Sequence, residues 1–130
     1  MAEAGKALLG EHDFTSFRAA GCQAQSPIRT MLYFNLMSKG SWIWFDVQAN
    51  AFLQHMVRNI AGSLIEVGCG KRSVGWMAEV LAEKDRTLAG VTATANGLYL
   101  VGVEYPEKFA LRSSRQDVCY WPESSAQIAT

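Results

Sequence analysis

The alternation of apolar and polar residues predicts a β-hairpin in the first half of the chain. Residues 29–38 and 42–49 are rich in aromatic and β-favouring side chains, and they flank a short glycine-containing turn at 39–41. Three apolar residues share one face of the second strand: Ile43, Phe45 and Val47. We expect this face to lie against a helical layer, because side chains alternate between the two faces of a strand.

Helical spacing occurs in three other stretches. Residues 2–10 are rich in helix formers and end on Gly10, which predicts a helix with a glycine C-cap. The strongest helical period begins at Asn50 and ends before Gly68, and its apolar residues are Leu53, Met56, Val57, Ile60, Leu64 and Val67. A further helix is predicted after Ser73 as its N-cap, with an apolar stripe of Trp76, Met77, Val80 and Leu81.

The remaining segments complete an α+β pattern. Asp13 is placed to cap a short helical turn, and residues 98–105 have strand composition with three core candidates, Leu98, Leu100 and Val103. Residues 107–130 lose periodicity and predict an irregular tail, with Tyr120 and Trp121 as its anchor. The order of elements predicts an α+β domain in which helices pack on one face of an antiparallel or mixed sheet.

Composition narrows the class of protein. The chain has 130 residues, 49% of them hydrophobic and 18% charged, which fits one compact domain. Twelve Lys and Arg balance twelve Asp and Glu, so the basic excess of a free-standing nucleic-acid-binding module is absent. No segment has the pattern of a membrane span or a signal peptide, which predicts a cytoplasmic protein. Three separated cysteines without metal-ligand spacing predict free thiols and no metal site.

One arginine stands out near the start of the strongest predicted helix. On a helix from Asn50, one stripe beside the core face carries Ala51, His55, Arg58 and Gly62. Burying a guanidinium without an anion is costly, so Arg58 is expected to meet a carboxylate or a phosphate. The alternative is that Arg58 leans out to solvent or pairs with Glu66 or another surface neighbour. His55 is interpreted as a packing residue, since spacing identifies no catalytic partner for it.

Two tryptophans share the other face of the second hairpin strand. Trp42 and Trp44 are typical either of a base-stacking platform or of an apolar interface with another domain or subunit, and we favour the interface. The sequence has no glycine-rich phosphate loop, nucleophile elbow or closely paired carboxylates. Spacing alone therefore assigns no activity.

Five sequence blocks together resemble a known family. The blocks are GEHDFTSFRAAGC, SPIRT, ANAFLQHMVRNIAGSLIEVG, KDRTLAG and GLYLVGVEYP. In order and spacing they resemble the C-terminal half of the catalytic domain in the tRNA pseudouridine synthase A family, over residues 1–106. The resemblance implies isomerisation of uridine to pseudouridine at positions 38 to 40 in the tRNA anticodon arm, by a homodimer that needs no metal or organic cofactor. The target base must leave its stack to be reached.

The resemblance also implies roles for individual residues. The family's nucleophilic aspartate lies in an R-T-D-x-G motif that these 130 residues lack, so the chain is expected to be a fragment that is inactive alone. Arg58, in the block H-M-V-R-N, matches the arginine that forms an ion pair with that aspartate. Leu98 matches an apolar residue that packs near the target base. Phe14, Arg18 and Arg29 match positions near the RNA-facing rim, with a core role as the alternative for Phe14.

A second class of function stays open. The chain can be interpreted as a non-catalytic RNA-binding or protein-interaction module that retains the fold and dimerises through the aromatic strand. Salt dependence distinguishes the two kinds of binding, since contacts with phosphates weaken steeply as salt rises.

Overall fold

The computed structural model describes residues 1–111, and the chain divides into two units, Met1–Ala95 and Asn96–Thr130. The first unit contains the helices and strands α1 (Ala2–Lys6), β1 (Gly10–Asp13), β2 (Ile28–Lys39), β3 (Trp42–Ala49), α2 (Met56–Gly68) and α3 (Trp76–Glu83). Short 3-10 turns lie at Thr15–Phe17, Arg86–Leu88 and Glu107–Phe109. The α+β class is confirmed, and the sheet is antiparallel with strand order β1-β2-β3.

The predicted hairpin is present. Lys39 pairs with Trp42, so Gly40 and Ser41 form the turn, and Gly40 has the left-handed φ of 57° that such a turn requires. The pairing shifts register between Met31 and Tyr33, which marks a bulge in β2. This register places Phe34 opposite Val47 on the same face of the sheet.

The inner face of the hairpin lies against the helices as expected. Val47 and Phe34 pack against the buried core, and Phe45 stacks on Phe34 with ring centroids 5.8 Å apart. A Cβ on Gly5 of α1 would overlap the ring of Phe34, so the helix lies directly on the sheet. Ile43, near the turn, is instead 57% exposed.

Strand β1 was not predicted. The first predicted helix ends at Lys6, and Gly10 begins a strand, with a φ of 93°, where the sequence suggested a C-cap. Gly10–Asp13 pairs with β2 from Gly10 opposite Met31 to Asp13 opposite Ile28. Four mostly polar residues carry no recognisable period, so this strand depends on its partner.

Helix α2 begins six residues later than its predicted start. The Asn50 side-chain oxygen accepts hydrogen bonds from the amides of Thr30 and Ala51, both at 2.9 Å, and so ties residue 50 to the sheet. This local bonding competes with a helical turn. The predicted stripe is therefore wrong at Ala51 and His55, which precede the helix. Helix α3 likewise begins at Trp76 rather than directly after Ser73.

The core of the first unit is formed by α1, α2, α3 and the turn at Thr15–Phe17. Its side chains include all four residues predicted for α3 and most of those predicted for α2. The largest fully buried apolar ones are Leu8, Phe14, Phe17, Met31, Met56, Ile60, Leu64, Met77 and Val80. The predicted short turn is present, but its N-cap is Phe14 rather than Asp13, so the predicted cap is wrong by one residue. The Asp13 carboxylate nevertheless accepts hydrogen bonds from the Thr15 amide at 2.9 Å and hydroxyl at 2.6 Å, at the start of the turn.

The second unit does not form the predicted strand within the part that is described. Residues 98–105 form neither helix nor strand and have no ladder partners among residues 1–111. The predicted core residues Leu98, Leu100 and Val103 are 48%, 78% and 45% exposed. A strand is stabilised by hydrogen bonds to a neighbour, and strand composition alone does not supply one. The predicted anchor at Tyr120 and Trp121, like Cys119, lies outside the described residues.

Residues 1–111 include no helix long and apolar enough to cross a membrane. Over the same range, no three His, Cys, Asp or Glu side chains lie close enough together to hold a metal ion.

Candidate active site

Arg58 lies in the first turn of α2. His55, the residue just before α2, adopts a left-handed φ of 60°, which is uncommon for a residue with a side chain and turns the chain sharply into the helix. The carbonyl of His55 then accepts the first helical hydrogen bond, from the Asn59 amide at 2.9 Å. Arg58 therefore lies in the first turn of the helix, next to the buried Asn59.

Arg58 forms two hydrogen bonds with the backbone of Ala93. Its Nε donates to the Ala93 carbonyl at 2.8 Å, and its own carbonyl accepts from the Ala93 amide at 3.1 Å. Arg58 and Ala93 are both partly buried. The position of the guanidinium is therefore set by a segment that follows α3, 35 residues later in the chain.

The expected anionic partner of Arg58 is not among residues 1–111. The ion pairs Lys6–Glu3 and Arg72–Glu66 do not involve Arg58, and no carboxylate within residues 1–111 forms a hydrogen bond with it. Glu66, the alternative partner, thus bonds to Arg72, at 3.4 Å. The terminal guanidinium nitrogens of Arg58 make no hydrogen bond within this part of the chain, which leaves them available to a carboxylate or a phosphate.

A buried polar network lies beside Arg58 and centres on Asn59, which is 1% exposed. Its side-chain nitrogen donates to the Phe17 carbonyl at 2.8 Å. Its side-chain oxygen accepts from Arg86 at 3.0 Å and from the Thr92 hydroxyl at 2.6 Å. Arg86 also donates to Thr92 at 2.9 Å and to the Gly90 carbonyl at 3.0 Å. The network joins α2 to the segment 86–92.

Two glycines bring residues 90–93 into direct backbone contact with α2. A Cβ on Gly62 would overlap the Val91 carbonyl oxygen, and one on Gly90 would lie 2.8 Å from the backbone of Ser63. The Ser63 hydroxyl donates to the Asn59 carbonyl and accepts from the Gly90 amide, both at 2.9 Å. Only glycine permits this approach, which brings Ala93 within reach of Arg58.

The network residues Asn59, Arg86 and Thr92 were missed by sequence reasoning. One signal was present: Asn59 and Ser63 are four residues apart, on the same face of α2 as Met56, Ile60 and Val67. Two polar residues on an apolar face need hydrogen-bond partners when buried. Spacing does not reveal that the partners are 27 and 33 residues away.

The three residues matched to the RNA-facing rim have different surroundings. Phe14 is fully buried, with Phe17 at 6.4 Å between ring centroids, which is the core position considered as its alternative. Arg18 donates to the carbonyls of Cys22 and Ala24, and so closes its own loop. Arg29 donates to the Ile28 carbonyl at 2.7 Å, while its buried Nε has no partner within residues 1–111.

Arg18 also belongs to a small electrostatic cluster. Burial raises the pKa of Asp13, but the hydrogen bonds from Thr15 and the charges of Lys84 and Arg18 outweigh burial and leave that pKa below its ordinary value.

RNA contact by Arg18 or Arg29 stays a prediction. Leu98 belongs to the second unit, where it is 48% exposed.

Comparisons with known proteins agree on one family. The family model described as tRNA pseudouridine synthase matches residues 4–106. Similar proteins named tRNA pseudouridine synthase A include those of Pectobacterium atrosepticum, 59% identical over 111 residues, Yersinia pestis, 58% identical over 111 residues, and Photobacterium profundum, 54% identical over 123 residues.

These matches cover most of this chain and less than half of each relative. They include 85%, 85% and 95% of the chain, but 39%, 42% and 47% of the three relatives, in the same order. The longest match must include part of residues 107–130, so the similarity continues into the segment predicted as a tail.

Proposed function

The chain belongs to the tRNA pseudouridine synthase family, and from this premise we propose that it is the C-terminal part of an enzyme that isomerises uridine to pseudouridine in tRNA. The target would be positions 38 to 40 in the anticodon arm, the working form a homodimer, and the compartment the cytoplasm. The reaction breaks the bond from the ribose carbon to N1 of uracil and forms one to carbon 5. The proton on carbon 5 is released, N1 gains one, and no redox partner is needed.

In this proposal Arg58 pairs with the nucleophilic aspartate, which the family carries in the half that these residues do not contain. One observation supports the pairing above all: Nε of Arg58 is held by Ala93, while its terminal nitrogens have no protein partner within residues 1–111. A guanidinium beside a carboxylate favours the charged form of the acid and fixes its direction. Leu98 would supply an apolar contact near the base.

A chimeric enzyme tests the assignment. The N-terminal portion of the Pectobacterium atrosepticum relative, joined ahead of Met1, supplies the part of the relative that this chain does not match. Turnover is measured as tritium released from tRNA that carries tritium on carbon 5 of uridine. The chimera should be active and the 130-residue chain inactive.

Substitution of the arginine then tests its role. Arg58→Ala in the chimera should lower kcat/KM roughly 200- to 5000-fold, which corresponds to the loss of about 3–5 kcal/mol when one partner of a buried ion pair is removed. Arg72→Ala, which changes an exposed arginine beyond the other end of α2, is the matched control and should stay near parental activity. Full activity of the Arg58→Ala chimera, or tritium release by the chain alone, would contradict the proposal.

A binding module is the second candidate, and the exposed hairpin tip favours it. Trp42 is 70% exposed and Ile43 57% exposed at the same end of β3. A gel shift of the 130-residue chain with tRNA at increasing salt distinguishes the two functions, because contacts with phosphates weaken steeply with salt. Self-association that is insensitive to salt and abolished by Trp42→Ala would support the interaction module.

A further inference from the structure

We propose that Arg86, acting through Asn59 and Thr92, is a positioning residue that sets the direction of the Arg58 guanidinium. The inference rests on the proposed function, in which Arg58 faces the nucleophile. It gives a role to Arg86 in the block KDRTLAG, which contains neither Arg58 nor Leu98.

Two adjacent residue pairs connect α2 to the segment that follows Arg86. Asn59 bonds to Thr92 at 2.6 Å, and the next pair along, Arg58 and Ala93, is joined by bonds of 2.8 and 3.1 Å. Because each residue of the first pair is the chain neighbour of one in the second, fixing the first pair restricts the second. The direction of Nε in Arg58 thus depends on where Thr92 is held.

Arg86 is the group that holds Thr92. Its guanidinium donates to three acceptors, which are the Gly90 carbonyl, the Asn59 side-chain oxygen and the Thr92 hydroxyl, all between 2.9 and 3.0 Å. A planar guanidinium presents several donors in a fixed fork, so it can hold three acceptors in one arrangement. A lysine ammonium, with its single nitrogen, cannot reproduce this geometry.

The acceptors of Arg86 are all uncharged, and no ion pair within residues 1–111 includes it. A surface ion pair is therefore not the reason for an arginine at this position. The bonds instead fix a turn whose only polar connections to α2, in this part of the chain, are those made by residues 58, 59 and 63. Arg86 and its hydrogen bonds therefore hold residues 90–93 in a fixed position against α2.

Hydrogen exchange in the 130-residue chain tests whether Arg86 and Thr92 hold residue 93 in place, and it requires no enzymatic activity. Arginine Nε–H groups and backbone amides are followed by NMR in the parent and in three variants. Thr92→Val keeps the shape and removes the hydroxyl, and Arg86→Lys keeps the charge and removes the fork. Thr94→Val is the matched control, since Thr94 is exposed and makes no hydrogen bond among the described residues.

Protection of the Arg58 Nε–H and of the Ala93 amide should fall roughly tenfold in Thr92→Val and in Arg86→Lys, because each variant loses buried hydrogen bonds that hold residue 93. The control should match the parent. Amides in the centre of α2, such as that of Leu64, should keep their protection, which shows that the loss is local. Unchanged protection at Arg58 in both variants overturns the inference, as does an equal loss at Leu64.

Kinetics of the chimeric enzyme give a second, independent reading. Arg86→Lys should lower kcat roughly 10- to 100-fold with KM for tRNA unchanged, because a small displacement of a catalytic group affects the reaction more than substrate binding. Arg72→Lys should leave both parameters unchanged. A rise in KM alone would place Arg86 in RNA binding and overturn the positioning role.

The two readouts separate this inference from the proposed function. If the unsubstituted chimera releases no tritium, the proposed function fails, while the exchange experiment still decides whether Arg86 positions Arg58. If the chimera is active and Arg86→Lys matches it in kcat, the positioning role fails alone.

Discussion

Gly62→Ala should destabilise the protein, although replacing glycine by alanine in the interior of a helix ordinarily stabilises the helix. Alanine is favoured over glycine in helices by about 1 kcal/mol. At this position the new Cβ would overlap the Val91 carbonyl oxygen and lie 2.9 Å from the Val91 carbonyl carbon. Both are backbone atoms, so no side chain can rotate away, and residues 90–93 must move off α2.

The magnitude follows from the bonds that this movement breaks. They are the two bonds between Arg58 and Ala93, at 2.8 and 3.1 Å, the bond from the Thr92 hydroxyl to Asn59 at 2.6 Å, and the bond from the Gly90 amide to Ser63 at 2.9 Å. At about 1 kcal/mol each they amount to roughly 4 kcal/mol, and the helix preference of alanine offsets about 1 kcal/mol. We expect a net loss of about 3 kcal/mol, which for a chain of this size lowers Tm by roughly 11 °C.

Urea unfolding followed by circular dichroism measures the change, with Gly75→Ala as the control. Gly75 has an ordinary φ of −71° and no heavy atom within 4 Å of its would-be Cβ, and it is the N-cap of α3, where alanine is less favoured than glycine. Alanine there should therefore cost less than about 1 kcal/mol. If Gly62→Ala is as stable as the parent and keeps its protection at the Arg58 Nε–H, the close approach does not hold the segment and the reasoning fails.

Three further changes test the core, a cap and a thiol. Leu64→Ala removes a fully buried side chain of α2 and should lower the free energy of unfolding by about 2–5 kcal/mol in urea titrations; a loss under about 1 kcal/mol would mean that the site is not close-packed. The Asp85 carboxylate caps the turn Arg86–Leu88, and hydrogen bonds from the Thr87 hydroxyl and amide lower its pKa. The cap therefore contributes its full stability above the unfolded pKa of about 4, and this contribution is lost as pH falls through the lower pKa of the folded state. Stability measured against pH should therefore show a shallower acid limb in Asp85→Ala, and an identical limb would refute the contribution. The backbone hydrogen bond from Ala24 lowers the pKa of the Cys22 thiol most, so its alkylation by iodoacetamide should have a pH midpoint below the ordinary value for cysteine, and a midpoint at or above that value would contradict this.

Elements whose signals are local could be predicted from the sequence. The hairpin has a two-residue turn between aromatic strands, and its inner face was identified by alternation at Phe45 and Val47. The buried faces of α2 and α3 followed from apolar residues three and four apart. In each case the residues that decide the structure lie within a few positions of one another.

Elements that depend on distant partners could not be predicted. Strand β1 is defined by pairing with β2, and the start of α2 is displaced because Asn50 bonds back to Thr30. Residues 98–105 have strand composition, yet no strand within residues 1–111 pairs with them. Pattern identifies which residues can be extended, whereas pairing depends on the rest of the fold.

The candidate site divides along the same line. Arg58 was identified because a charged group on a partly buried helix needs a partner, and its block resembles a family. The bonds between Arg58 and Ala93 and the network around Arg86 could not be inferred, since their members lie 27 to 35 residues apart in the sequence. The only local trace was a pair of polar residues, Asn59 and Ser63, on an otherwise apolar face.

The bonds of Ser16 have a consequence for synthesis of the chain. This fully buried hydroxyl donates to the Val80 carbonyl at 2.6 Å and accepts from the Asp85 amide at 2.9 Å, spanning 64 and 69 residues. A chain emerging from the ribosome can close the hairpin as soon as its strands are exposed, because hairpins form within microseconds. Ser16 and the turn around it must wait until Asp85 has left the exit tunnel, at roughly 5–20 residues per second. Over that interval of seconds, apolar surface such as that of Phe17 stays open to solvent, which makes the growing chain prone to aggregation before this segment becomes part of the core.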